Sequence, residues 1–254
     1  NDEVHHYQPG WLFIPFGVYT ADDCMKPKRS FIPKNVDFKL DEVVAVHPDK
    51  RQVECKKQSY DYDWLVIATG CTIFPEEVDG MENWKPEPTG DIHSFFTLEG
   101  AEALYQRMKH FKSGKIVFNI PEMPHKCPVV PMEFMVMADS FFKQKGVRED
   151  IQIELVTPIT GIFTKPIATQ ILTESAVEKK ISVVPDFSLL EVDASAKTLE
   201  SAGGEKVSYD LMVSTMPNMG AKYVEDSGMG DGMGYVFTDH HTLKAQKYDN
   251  IYVI

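Results

Sequence analysis

The stretch "KIVFNIPEMPHKCPVVPMEFMVMADSFFKQKG", Lys115 to Gly146, decides how the chain is read. Its apolar run Lys115–Ile120 reads as a buried strand. A loop follows, then an apolar segment long enough for a helix over about 130–145, closed by Gly146. A strand entering a helix through a short loop is the rhythm of a dinucleotide-binding unit. In such units glycines let backbone N–H groups approach a pyrophosphate, and helix N-terminal amides hold it. Between Ile120 and Val130 there is no glycine. Pro124, Pro128 and Pro131 each lack an N–H and fix φ, so the loop offers no amide nest, which disfavours NAD(P)H at this position. What it offers instead is Cys127. Pro128 pushes Cys127 out of the helical region, and Pro131 suits an early helical position. The thiol therefore sits at or just before a helix N-terminus, beside His125 and Lys126. Positive surroundings of that kind make a thiol more acidic and more reactive. Two readings stay open, a reactive thiol and a small packed hydrophobe, which free cysteines often are. The missing glycines weigh toward the first.

Working outward, "TLEGAEALYQRMKHFKSG" (97–114) has helix formers, a Thr97 N-cap candidate and Gly114 just past its end. On the other side come a strand over 151–156 and a helix with Thr164 as cap candidate and Pro166 in its first turn. Strands near 181–184, 189–193 and 207–215 complete a β-α-β-α-β series. That alternation predicts an α/β protein, with a mostly parallel sheet and helices on both faces. Earlier, "YQPGWLFIPFGVY" (7–19) follows neither period and reads as an irregular buried loop with a short helix. Two short strands are expected within 36–48 and 51–57. In "SYDYDWLVIATG" (59–70) a buried strand, Leu65-Val66-Ile67, gives way to small Ala68-Thr69-Gly70. The carboxyl ends of such strands are where open α/β sheets bind ligands. Residues 75–92 are rich in Pro, Gly and acids and read as a linker. Beyond it, "VSYDLMVSTMPN" (207–218) echoes "QSYDYDWLVIATG" (58–70). The echo fits either two unrelated strands or two nested dinucleotide-binding domains, and the linker between them favours nesting.

Composition bounds the function. Of 254 residues, 43% are hydrophobic and 25% charged, an ordinary globular balance that excludes a disordered chain. A net charge of -12 argues against nucleic acid as the partner. No apolar run approaches the length of a membrane-spanning helix, while peripheral attachment stays open. Cys24, Cys55, Cys71 and Cys127 are too scattered for a disulfide framework and form no C-x-x-C pair. The eight histidines are dispersed apart from His5-His6 and His240-His241, so no metal site is expected. The ends, "NDEVHHYQPG" and "KYDNIYVI", read as cuts through a fold, and the expectation is a fragment truncated at both ends.

Four segments together, "HHYQPGWLFIPFG" (5–17), "YDYDWLVIATG" (60–70), "SFFTLEGAEAL" (94–104) and "EMPHKCPVVPMEF" (122–134), resemble the sulfide:quinone oxidoreductase family. The resemblance runs almost end to end, and "KCPVVP" with "YQPGW" is its most specific part. It implies two nested Rossmann-like domains of the FAD/NAD(P)-binding kind. Residues 1–84 and 222–254 would form an incomplete FAD-binding domain, and 85–221 a second, NAD(P)-binding-like domain carrying Cys127. It implies FAD as cofactor and Cys127 as a redox-active cysteine beside the flavin. Sulfide would be oxidised through persulfide chemistry at a cysteine pair, with electrons passing to FAD and then quinone. Tyr7, Gln8 and Pro9 would lie near the flavin, Val43 near the adenine, Ala68, Thr69 and Gly70 along the cofactor, and Pro217 on the isoalloxazine side. The family's glycine-rich first strand, its later Gly-Asp motif and its second redox cysteine do not occur in these 254 residues. None of Cys24, Cys55 or Cys71 matches that second cysteine. Cys71 follows the Ala-Thr-Gly turn and is read as packed, Cys24 and Cys55 as structural or surface residues. The resemblance further implies peripheral membrane contact through segments outside this sequence, without fixing the side of the membrane; a cytoplasmic place is favoured over secretion, and a homo-oligomer stays open. Alternatives are a flavocytochrome c-type sulfide dehydrogenase, a type II NADH:quinone oxidoreductase, which wants glycines after Ile120, and a non-catalytic binding protein on a degenerate flavoprotein fold.

Overall fold

The computed structural model describes residues 2–254, and the apolar residues sort into separate cores in two units of the chain. The first unit comprises the residues up to His5, Lys26–Thr72 and Asn218–Ile254; the second comprises His6–Met25 and Ile73–Pro217. In chain order the first unit holds β1 (Val43–His47), β2 (Gln52–Cys55), β3 (Ser59–Asp61) and β4 (Leu65–Ile67). The second holds β5 (Ile92–His93), α1 (Leu98–His110), β6 (Gly114–Asn119), α2 (Val130–Gln144), β7 (Ile151–Val156) and α3 (Pro166–Glu178). It continues through β8 (Ile181–Val184), β9 (Leu189–Asp193), β10 (Thr198–Ser201), β11 (Lys206–Ser208) and β12 (Leu211–Ser214). The chain then re-enters the first unit for α4 (Lys222–Asp226) and β13 (Ile251–Val253). This is an α/β fold of two nested Rossmann-like units.

In the second unit five parallel strands lie in the order β8-β7-β6-β12-β5. Successive side chains on a strand point to opposite faces, and the register aligns them in rows. Ile153 lies opposite Ile116, and Leu155 opposite Phe118. With Leu211 and Val213 they form one buried face, packed by Leu104 and Met108 of α1, Phe134 and Phe142 of α2 and Ala176 of α3. Trp11, Leu12, Ile14 and Phe16, from a 3-10 helix over Gln8–Phe16, complete that core. The other face carries Val117, Val156 and Met212, and it packs against Val192, Leu199 and Val207. Those three belong to an antiparallel sheet, β9-β10-β11. The expectation of helices on both faces is thus corrected: helices cover one face and a β-meander the other. The cause is local. Residues 189–208 are short strands joined by tight turns, with Lys197 at φ 54 and Gly204 at φ 82.

Two further expectations change. The stretch 207–215 is two strands, since Tyr209 and Asp210 turn the chain from the meander into the parallel sheet; the Asp210 carboxylate accepts from Lys115 N at 2.7 Å. Residues 75–92 are not a loose linker. Val78 and Met81 are buried, Asp79 O accepts from Val192 N at 2.9 Å, and a Cβ on Gly80 would lie 1.9 Å from Val192 O. Thr97 caps α1 as expected, its Oγ1 accepting from Gly100 N at 3.0 Å. At α3 the cap residue is Lys165, without a side-chain bond, rather than Thr164; Pro166 takes the first turn.

In the first unit β1-β2-β3 form an antiparallel sheet, and β4 pairs in parallel with β13. Ile67 and Ile251 pack with Val46, Val224 and Met229. Ser227, just after α4, accepts from Val46 N at 2.8 Å. Leu65-Val66-Ile67 is buried on one side only: Ile67 is 5% exposed and Val66 55%. The boundaries lie at 72/73 and 217/218, against the expected 84/85 and 221/222. Residues 6–25 join the second unit because their 3-10 helix supplies its core. Among the described residues no helix is long and apolar enough to cross a membrane.

Candidate functional site

Cys127 ends a glycine-free loop three residues before α2. Val130 N donates to its carbonyl at 3.2 Å, Val130 and Pro131 open the helix, and the thiol is a free, exposed cysteine. Pro128 excludes the right-handed helical conformation, and the backbone resolves that restriction with φ at 60. A side chain in this left-handed region costs on the order of 1–2 kcal/mol, and residues held this way cluster at functional sites.

The neighbours of Cys127 come from three elements of the second unit. Lys126 Nζ donates to Gln8 Oε1 at 2.6 Å, tying the loop to the 3-10 helix. Gln8, Pro9, Trp11, Phe95, Phe96, Val129 and Glu133 line with Cys127 a cleft of about 340 Å³. In its aromatic wall, Phe95 stacks on Phe134 with ring planes 9° apart. Trp11 is 8% exposed, and its indole Nε1 has no hydrogen-bond partner among the described residues. His125 does not supply the positive charge expected of it. Burial pushes its imidazole pKa down, only partly offset by its hydrogen bond to Lys126 O, so it is neutral at pH 7.

A second cleft, of about 440 Å³, lies within the first unit at the carboxyl end of β4. Thr69, Gly70 and Cys71 line it, with Tyr235 and Leu243. Gly70 has φ 66 and no atom within 4 Å of where a Cβ would stand, so bare backbone faces the cleft. Thr69 Oγ1 lies 3.3 Å from Tyr223 Oη, whose pKa burial pushes up. Cys71 Sγ is 3.8 Å from Asn218 Oδ1.

The structure therefore brings Gln8, Pro9 and Cys127 to one cleft, and Thr69 and Gly70 to another. Ala68 is exposed beside the second cleft without lining it. Val43 begins β1 and packs against the core of the first unit. Pro217 is buried, its carbonyl accepting from Phe74 N at 2.8 Å. Cys24 is buried in the second unit's core, and Cys55 is half-buried in β2. Sequence reasoning did not assign Trp11, Phe95, Phe96 or Glu133 to the site. The aromatic pair was visible as "SFF", but adjacent phenylalanines carry no signal of which cleft they will wall. Among the described residues no group of three His, Cys, Asp or Glu side chains is arranged to hold a metal.

The fold and the thiol loop define the class: a nested pair of Rossmann-like units, the second with an exposed cysteine and no glycine in the loop between β6 and α2. Within that class the chain resembles sulfide:quinone oxidoreductases along nearly all of its length. It is 27% identical to a mitochondrial sulfide:quinone oxidoreductase of Dictyostelium discoideum over 98% of this chain and 56% of the relative. It thus spans a little over half the length of that relative. The solved sulfide:quinone oxidoreductase of Aquifex aeolicus superimposes with a TM-score of 0.84 at 17% identity, over 100% of this chain and 60% of that one, a likeness of fold. A type II NADH:quinone oxidoreductase of Staphylococcus epidermidis is 32% identical, but over 32% of this chain and 21% of its own length. No protein-family model matches the chain.

Proposed function

We propose that this chain is the sulfur-handling part of an FAD-dependent oxidoreductase that oxidises sulfide at Cys127 and delivers the electrons to quinone. One observation carries the reading: an exposed thiol held at positive φ in an aromatic-walled cleft, where the parent fold would place a glycine-rich phosphate loop. End-to-end similarity to sulfide:quinone oxidoreductases supports it. Cys127 serves as the sulfur carrier. Its thiolate is the nucleophilic form, and it alternates between thiolate and persulfide, while the second cysteine that the family resemblance implies lies outside these residues. Gln8 holds Lys126 and so fixes the loop behind the thiol. Phe95 and Phe96 give the cleft an apolar wall.

The first unit's cleft suits a cofactor edge, because Gly70 presents unobstructed backbone beside Thr69 at a strand's carboxyl end. Thr69, Gly70 and the adjacent Ala68 would hold FAD there, with Val43 toward its adenine and Gln8, Pro9 and Pro217 toward its flavin ring. Bound FAD supplies the two-electron acceptor that sulfide oxidation needs and the relay to quinone. Peripheral membrane placement would bring the quinone within reach.

In the full-length FAD-loaded protein, Cys127→Ala should abolish sulfide-dependent bleaching of the flavin while flavin stays bound. Bleaching at the wild-type rate would overturn the assignment. The type II NADH:quinone reading rests on similarity over a third of the chain, and it predicts bleaching by NADH instead. The loop's lack of glycine favours sulfide. A protein that binds no flavin would point to the non-catalytic alternative.

A further inference from the structure

Helix α3 gives the core of its unit little of its apolar surface. Ala176 is buried and Leu172 packs beside it, whereas Ile167 is 77% exposed and Ile171 60%. Residues four apart on a helix share a face, so Ile167 and Ile171 form an apolar ridge on the open side. Leu172, the next residue, lines a cleft of about 350 Å³ with Phe163 and Met137, which widens the apolar surface beyond the ridge. A contiguous apolar patch of this kind marks a docking surface. The charges at the two ends of α3 select what docks there. Lys165 is exposed at its start, and Glu174 and Glu178 at its end; Lys179 Nζ is 3.8 Å from the Glu178 carboxylate. The first turn carries no acid and the last turn no base. That order opposes the helix's own macrodipole, which favours acids at the start and bases at the end. A bilayer surface wants Lys and Arg beside the apolar face, and here two carboxylates flank it. An antiparallel copy of α3 suits both ends, because it sets the cation of one helix against the anions of the other.

We propose that α3 is the contact of a two-fold homodimer, in which it packs antiparallel on α3 of a second copy. In an isologous pair the residue at the axis meets itself, and Ile171 takes that place. Ile167 of each copy then lies about one turn to either side. Lys165, six residues before Ile171, comes level to within one residue with Glu178 of the second copy, seven residues after it. Two apolar ridges are thereby removed from water, and the ion pair occurs twice. The contact is independent of the chemistry assigned to Cys127.

The test measures the oligomeric state of the full-length protein by sedimentation over a range of concentrations. The wild type should dimerise, and Ile171→Glu should raise the dissociation constant at least about tenfold by placing two carboxylates at the axis in place of apolar side chains. Lys165→Glu should weaken the dimer by roughly twofold to tenfold, and adding Glu178→Lys should recover it; all three positions are exposed, so the fold tolerates the changes. Mild oxidation of Ile171→Cys should give a disulfide that joins the peptide spanning position 171 to its own copy, located by peptide mass mapping. A monomer at every concentration, or a dimer that Ile171→Glu leaves intact, would overturn the proposal. So would a monomer that sediments with vesicles of phosphatidylcholine and phosphatidylserine and loses them on Ile171→Glu, which would assign the ridge to a lipid surface. A 171 peptide linked to a different segment of the same chain would overturn it in favour of intramolecular cover.

Discussion

At Cys127 the protein keeps a β-carbon at φ 60, where glycine would sit without steric cost. Strain of this kind persists only where the surrounding structure over-determines it. Replacing Cys127 by Gly and by Ala separates the two contributions, because both remove the thiol but only Ala retains the β-carbon. In urea denaturation the Gly variant should match the Ala variant or exceed it by up to about 1 kcal/mol, relief of strain offsetting the greater freedom of the unfolded chain. A Gly variant clearly less stable than the Ala variant would show that the backbone there is not strained. The amino-acid order alone marks this residue as special, since Pro128 directly after the cysteine narrows its backbone conformations. Its left-handed backbone was not readable, because Pro128 forbids one region without choosing among the others.

At the scale of elements, a buried ion pair joins α2 to its neighbours. Arg148 Nε donates to Asp139 Oδ1 at 2.8 Å, and its other nitrogens donate to Ile151 O at 2.5 Å and Lys179 O at 2.6 Å. One guanidinium thus ties α2 to the start of β7 and the end of α3. Asp139→Ala would leave that buried charge without its partner and should cost about 3–5 kcal/mol by chemical denaturation. A loss under about 1 kcal/mol would show that water reaches the guanidinium. The parallel strands and helices of this unit were legible because their apolar residues repeat at the strand or helix period over long runs. The meander was not. Its strands are three to five residues long, too short for a period to declare itself. Residues 75–92 misled for a related reason: their acids and prolines read as linker, while Val78 and Met81, the two side chains that anchor them, are a small fraction of the segment. Thr97 was legible as a cap because its hydroxyl has a local partner three residues on; the partners of Arg148 lie on other elements, and local patterning says nothing of them.

For the whole molecule, acid is the weakness that the buried histidines predict. Burial pushes the pKa of His93 down, partly countered by its hydrogen bond to Gly90 O, and burial does the same to His125. Below the ordinary value of about 6.5, the unfolded chain binds protons that the folded chain refuses, so stability is whole above that pH and declines beneath it. Asp139 adds a second decline in stronger acid. Burial raises its pKa, but the hydrogen bonds from Lys143 and Arg148 outweigh that and hold the carboxyl below its usual range. The melting temperature should fall as pH drops from about 7.5 to about 5.5; a constant or rising melting temperature would contradict this account of the histidines.

The functional account turns on where sulfur from sulfide first becomes covalently held. Incubating the full-length FAD-loaded protein with isotopically heavy sulfide and a quinone, then mapping its peptides by mass, answers that directly. The prediction is a heavy sulfur atom on the peptide containing Cys127, lost on treatment with a reducing thiol. Turnover of sulfide with Cys127 never labelled would contradict it.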